Sequence, residues 1–147
     1  METSKRKALC FFRAATLFLT CFIGVGAIVG TMMFFLDPQN GFVMNGILLP
    51  MQQRMPFADI FFRNLIFPGI ALLLVNGIPN LTAFALLLKR RPSGYRLGCI
   101  CGIALMLWIC IQFYVFAPIV YAIDIVFFCF GLAQFLCGYL ASVYVRK

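Results

Sequence analysis

Four long apolar runs, at about residues 14–36, 60–88, 97–116 and 119–145, take up most of this 147-residue chain. A bilayer's hydrocarbon core is ~30 Å thick and about 20 helical residues cross it, so each run is long enough to span. Lipid offers no partners to backbone polar groups, which leaves helices as the structure for such runs. The composition, 64% hydrophobic and 11% charged, is more apolar than a water-facing exterior tolerates. The expectation is a single all-α integral membrane domain over residues 1–147, a transmembrane four-helix bundle. A basic stretch before an apolar run is also the pattern of a signal peptide. Here the run is too long, and no small-x-small cleavage site follows it. Residues 14–36 are therefore read as the first span.

The net charge is +8, and ten of the 12 Lys and Arg fall in three clusters. These are Lys5, Arg6, Lys7 and Arg13; Lys89, Arg90, Arg91 and Arg96; and Arg146 with Lys147. Each flanks an apolar run. The basic stretches are short and have no folded domain around them, so the partner they imply is a lipid bilayer and not nucleic acid. Four crossings put both termini and all three clusters on one side. The positive-inside rule makes that side cytoplasmic, giving an N-in/C-in protein of the cell (plasma or inner) membrane. Asp37, Arg54 and Asp59 fall on the outer side, with Arg63 and Asp124 near it.

The connections differ in kind. Lys89 to Arg96, KRRPSGYR, is a short turn punctuated by Pro and Gly. The third and fourth spans meet near Ala117-Pro118 as a tight hairpin. The first outer connection, residues 37–58, is long. It starts with the turn-like DPQNG and continues as FVMNGILLPM, too apolar for a solvated loop. It is expected to lie in the interface or fold back over the bundle mouth.

Small residues allow helices to approach closely in lipid. Gly26 and Gly30 form one GxxxG, Gly94, Gly98 and Gly102 a doubled one, and Ala133, Cys137 and Ala141 a further stripe. The reading for all three is packing within the bundle. The alternative is a membrane-protein partner or second copy held through Gly94, Gly98 and Gly102. Tyr114 and Tyr121 mark the outer ends of spans three and four, Tyr95 and Tyr144 the inner ends. Trp108 reads as core or lipid-facing.

The chemistry is in the few polar residues within the runs. In PFADIFFRNLIFPG, Pro56 to Gly69, Asp59 and Arg63 stand at i and i+4, the spacing of a same-face pair on a helix. Pro68 withdraws the N–H that the Asn64 carbonyl would receive, so a kink is expected there. Gln112 and Asp124 lie at similar depth in spans three and four. One reading ties the helices together by pairing Arg63 with Asp124 or Asp59. The other is an outward polar pocket built from Asp37, Asp59, Arg63, Asn64, Gln112 and Asp124, covered by residues 42–55, that holds a head group or small solute. A deeper layer consists of Thr20, Asn76, Asn80 and Gln134, and Pro79 makes VNGIPN a candidate break. Such residues serve as interhelical glue in most cases and as substrate ligands in some broken-helix transporters.

No His and only four acidic residues are present, which removes the commonest general base and the commonest metal ligand. The seven Cys form no C-x-x-C and read as buried free thiols. No cofactor or metal is expected.

DPQNG, then PF and an acid leading to FPG, then WICIQ, resemble a group of small four-helix bacterial membrane proteins across most of residues 24–140. The resemblance implies a fold and a bacterial inner-membrane setting but no reaction. It singles out Asp37, Pro38, Gly41, Asp59, Pro68, Gly69, Trp108 and Gln112, and Arg63 departs from its pattern.

Of three function classes, a non-enzymatic membrane module binding a protein or lipid ranks first. A small-solute or ion transporter or channel around Arg63, Gln112 and Asp124 ranks second, although small multidrug transporters place their acid in the first span and this chain has none there. An enzyme ranks last, because nothing pairs the acids with a base or nucleophile.

Overall fold

A computed structural model describes residues 2–39, 42, 49, 52–117 and 122–146. Helix α1 covers Glu2–Leu36, α2 Ala58–Phe61, α3 Ile66–Leu72, α4 Ile78–Leu88, α5 Ser93–Phe116 and α6 Ala122–Arg146. A π-helical turn, Leu73–Gly77, joins α3 to α4. Among the described residues, four helical segments are long and apolar enough to cross a membrane: Lys5–Leu36, Ile66–Leu88, Ser93–Phe116 and Ala122–Val145.

The second span begins later than its hydrophobicity suggests. Pro68 falls in the first turn of α3, where a missing N–H costs nothing because that donor has no intrahelical partner anyway. The Asn64 carboxamide oxygen accepts the Ile66 N–H (3.1 Å), closing the start of α3. Upstream, α2 stops at Phe61. Asp59 and Arg63 therefore do not share a helix, and their expected i, i+4 pairing does not form. The Leu65 N–H reaches the Pro38 carbonyl (2.8 Å), which ties this junction to the end of α1.

VNGIPN is the break the sequence indicates, and its form is a π turn. Pro79 has no N–H to give the Val75 carbonyl, and the ladder widens just before it: the Ile78 N–H bonds back to Leu73. The span remains continuous, with one residue more than an α-helix would hold in that turn.

Three apolar clusters stack along the bundle. Leu87, Tyr95 and Ala141, with Leu9 and Phe12, fill the end that carries both termini. Leu19, Ile23, Leu105 and Ile109 fill the middle. Leu65, Val115 and Phe116, with Leu49 and Met55 of the long connection, fill the opposite end. Leu49 and Met55 of that connection pack against this last cluster. Most of residues 40–51 lies outside the described residues, as do Pro118 and Tyr121. Tyr95 is buried rather than interfacial, and Tyr144 stacks on Phe12 at 5.9 Å.

The small residues act within the chain. A Cβ on Gly102 would stand 2.7 Å from both the Gly131 carbonyl and the Phe135 nitrogen, so α5 and α6 touch backbone to backbone. Gly94 packs on Leu87 and Gly98 on Thr16. All three glycines of the doubled motif are buried within their own bundle. Gly26 departs from its motif in another way: a Cβ there would meet nothing within 4 Å.

Candidate functional site

The open space beside Gly26 belongs to a cavity of about 270 Å³ in the half of the bundle away from the termini. All four spans wall it. Helix α1 contributes Ile23, Gly26 and Gly30; span two contributes Pro68, Leu72 and Asn76. Leu105, Trp108 and Gln112 of α5 and Ile123, Asp124 and Phe127 of α6 complete the wall, with Gln52 of the long connection at the end away from the termini. A neighbouring cavity of about 220 Å³ shares Gln52, Pro68, Trp108 and Gln112.

The polar groups are distributed by depth. Asp124 is in the first turn of α6, where the exposed N–H groups favour a carboxylate. Its side chain is buried, 6% exposed. Gln112 lies about one turn from the C-terminal end of α5. Asn76 lies about 15 Å in from the start of α3, counting 1.5 Å per residue, which is close to the middle of a ~30 Å core. The cavity thus runs from the end away from the termini to about halfway along the spans.

Asn76 is the least ordinary of these residues. It is 1% exposed, and neither its amide nitrogen nor its amide oxygen has a hydrogen-bond partner. A buried amide left so costs about 1–3 kcal/mol. The Gln52 side-chain oxygen is likewise buried without a partner.

One turn deeper the polar residues are saturated with each other. The Gln134 amide donates to Asn80 Oδ1 (2.8 Å) and to the Gly98 carbonyl (3.2 Å). Asn80 donates to the Asn76 backbone carbonyl (2.8 Å). Thr20 and Thr16, both buried, return their hydroxyls to carbonyls of α1 (2.8 and 2.7 Å). This belt joins spans two, three and four and forms a floor beneath the cavity.

Of the residues singled out by sequence, Gln112, Asp124 and Asn76 meet in one wall, and Asn80 and Gln134 meet in the belt. Arg63 and Asp59 are exposed and absent from the wall. Among the described residues no ion pair joins Arg63 to Asp59 or Asp124. Asn64 is used as a helix start, and Asp37 Oδ2 accepts the Phe42 N–H (3.1 Å) at the rim. Arg54 gives its guanidinium to the Ala117 carbonyl (2.9 Å), fastening the long connection to the end of α5. Sequence reasoning did not place Gln52 or the Gly26–Gly30 opening at a cavity, and read Trp108 as core or lipid-facing although the resemblance had singled it out. The unpaired requirement of Asn76 beside Pro79 was the signal available for the location.

No protein-family model, curated protein or solved structure matches the chain. The bacterial four-helix resemblance therefore adds nothing further to the site. No group of His, Cys, Asp or Glu able to hold a metal ion occurs among the described residues.

Proposed function

We propose that this is a non-enzymatic multi-pass membrane protein that takes a small amphipathic ligand into the cavity between its four spans. The carrying observation is Asn76: a fully buried amide, without partners, in the wall of a mid-membrane cavity. An amide in that position is stabilised by something that enters. At about 270 Å³ the space is below the ~300–1,000 Å³ of drug-sized pockets, so the occupant is smaller. Around the polar groups the wall is aliphatic and aromatic, which suits a ligand with an apolar body. The positive-inside rule orients the termini and basic clusters to the cytoplasm and the cavity to the opposite leaflet.

Trp108 is the only Trp and stands in the wall, so its emission reports occupancy. The test uses purified protein in nanodiscs and three probes of like shape: 2-phenylethylammonium, 2-phenylethanol and phenylacetate. At least one should change Trp108 emission saturably. The change should disappear in Gly26→Leu, whose Cβ has open space around it and whose side chain takes up cavity volume. Linear, partition-like responses to all three, identical in Gly26→Leu, would refute the proposal.

A carrier is the second reading, favoured by the π turn at the cavity floor. A helix with one surplus residue in a turn has a place where register can shift. Uptake of a bound probe into proteoliposomes separates a carrier from a one-sided receptor.

A further inference from the structure

We infer that the turn between spans two and three, completed by Arg13 of α1, binds the phosphate of an anionic phospholipid in the leaflet that faces the termini. This site is separate from the cavity, at the opposite end of the bundle. The turn closes α4 with the pair of bonds usual around a left-handed residue. The Arg91 N–H donates to the Leu86 carbonyl (2.9 Å) and the Arg90 N–H to the Leu87 carbonyl (3.0 Å). Arg90 is the left-handed residue, with φ 54°. Glycine is the ordinary occupant there, because a Cβ is strained at positive φ. The chain places a long cation in that position instead. The Arg13 guanidinium donates to the same Leu87 carbonyl (3.2 Å), so a cation from the first span comes onto the turn. Lys89, Arg90, Arg91 and, at the end of the first turn of α5, Arg96 are all exposed.

The chain offers this group little negative charge. Of its four acidic residues only Glu2 belongs to this end, while Asp37, Asp59 and Asp124 belong to the other. The first turn of α5, the positive end of a helix dipole, holds no acid either. The level of the turn selects the anion. Span two ends at Leu88 and span three starts at Ser93, which leaves the turn at the hydrocarbon boundary, beside the headgroup layer. Leu88, next to Lys89, and Phe11, two residues before Arg13, are exposed and suit the acyl chains of a lipid whose phosphate meets the cations. Lys5, Arg6 and Lys7 precede Arg13 by six to eight residues, about 9–12 Å farther out along α1. They add long-range attraction, and the turn makes the contact.

The test titrates purified protein in neutral detergent with phosphatidylglycerol or with phosphatidylcholine of the same acyl chains, and counts bound lipid by native mass spectrometry. Phosphatidylglycerol should be held about tenfold tighter or more, and less tightly as salt is raised. Arg90→Gly keeps the backbone of the turn and relieves its strain. It should therefore melt no lower than wild type, yet lose about fivefold in phosphatidylglycerol affinity. Arg91→Gln should add a similar loss, and Arg63→Gln, at the other end of the bundle, none. If a variant fails to fold, the wild-type ranking of the two lipids decides. Equal affinity for the two lipids overturns the inference, as does an equal loss in Arg63→Gln. A lower melting temperature in Arg90→Gly with the lipid preference intact also overturns it, making Arg90 a structural residue. Binding of inorganic phosphate or poly-glutamate as tightly as phosphatidylglycerol would assign the turn to a soluble anion or an acidic protein instead.

Discussion

Asn76 separates stability from function at a single position. If its amide is there for a ligand, Asn76→Leu removes a buried, unsatisfied polar group and fills apolar space. The melting temperature in nanodiscs should rise, by the equivalent of roughly 1 kcal/mol or more, while probe binding falls. A drop in melting temperature would show that the amide holds the bundle together. The neighbouring belt should behave in the opposite way. Gln134→Leu takes away two donated bonds and leaves Asn80 Oδ1 unmet; a loss of about 1–3 kcal/mol is expected. A double-mutant cycle with Asn80→Leu should return a coupling of roughly 0.6–2 kcal/mol. Additivity would mean that the 2.8 Å contact contributes nothing. Thr20, Asn76, Asn80 and Gln134 were legible in the sequence because a polar side chain in lipid has to be accounted for. Which of them would be saturated was not, since that depends on helix rotation.

At the scale of elements, the seam between α5 and α6 and the cleft beside α1 use glycine for contrary purposes. Gly102→Ala should destabilise by roughly 1–3 kcal/mol, because its new Cβ meets backbone atoms that cannot move without parting the helices. Gly26→Ala should be within about 0.5 kcal/mol of wild type. Thermal melting of the two variants side by side is the check, and similar losses would mean that α1 and α6 close over Gly26. Both positions sit in a GxxxG-type pattern, so the pattern alone does not say whether a helix or an opening lies opposite. The same limit explains Asp59 and Arg63. Their spacing promises a pair only if one helix carries both, and the chain ends α2 at Phe61 and restarts at Ile66 around Pro68.

For the whole molecule, the placement of charge makes a prediction about direction. Ten basic residues gather at the end that holds the termini. Epitope tags at either terminus should be shielded from protease added to intact cells, and a tag inserted after the exposed Gln39 should be cut. Cleavage of a terminal tag would invert the bundle and turn the cavity toward the cytosol. The three stacked clusters run the length of the bundle, and the cavity of about 270 Å³ lies in the half away from the termini. There the long connection, through Leu49, Gln52 and Met55, contributes side chains where a fifth helix would otherwise be needed.

The sequence by itself determined the number of spans, their approximate limits, the common side of the basic clusters and the polar residues that had to be explained. Hydrophobic length and charge position carry that information along one dimension, and the bilayer supplies the scale. The tertiary structure alone decided which of those residues face one another. Residues at equal depth on different helices are related by rotation, and rotation is set by side-chain packing between segments distant in the chain. That is why Gln112, Asp124 and Asn76 share a wall with Trp108, while Arg63, at a depth that looked equivalent, is outside it.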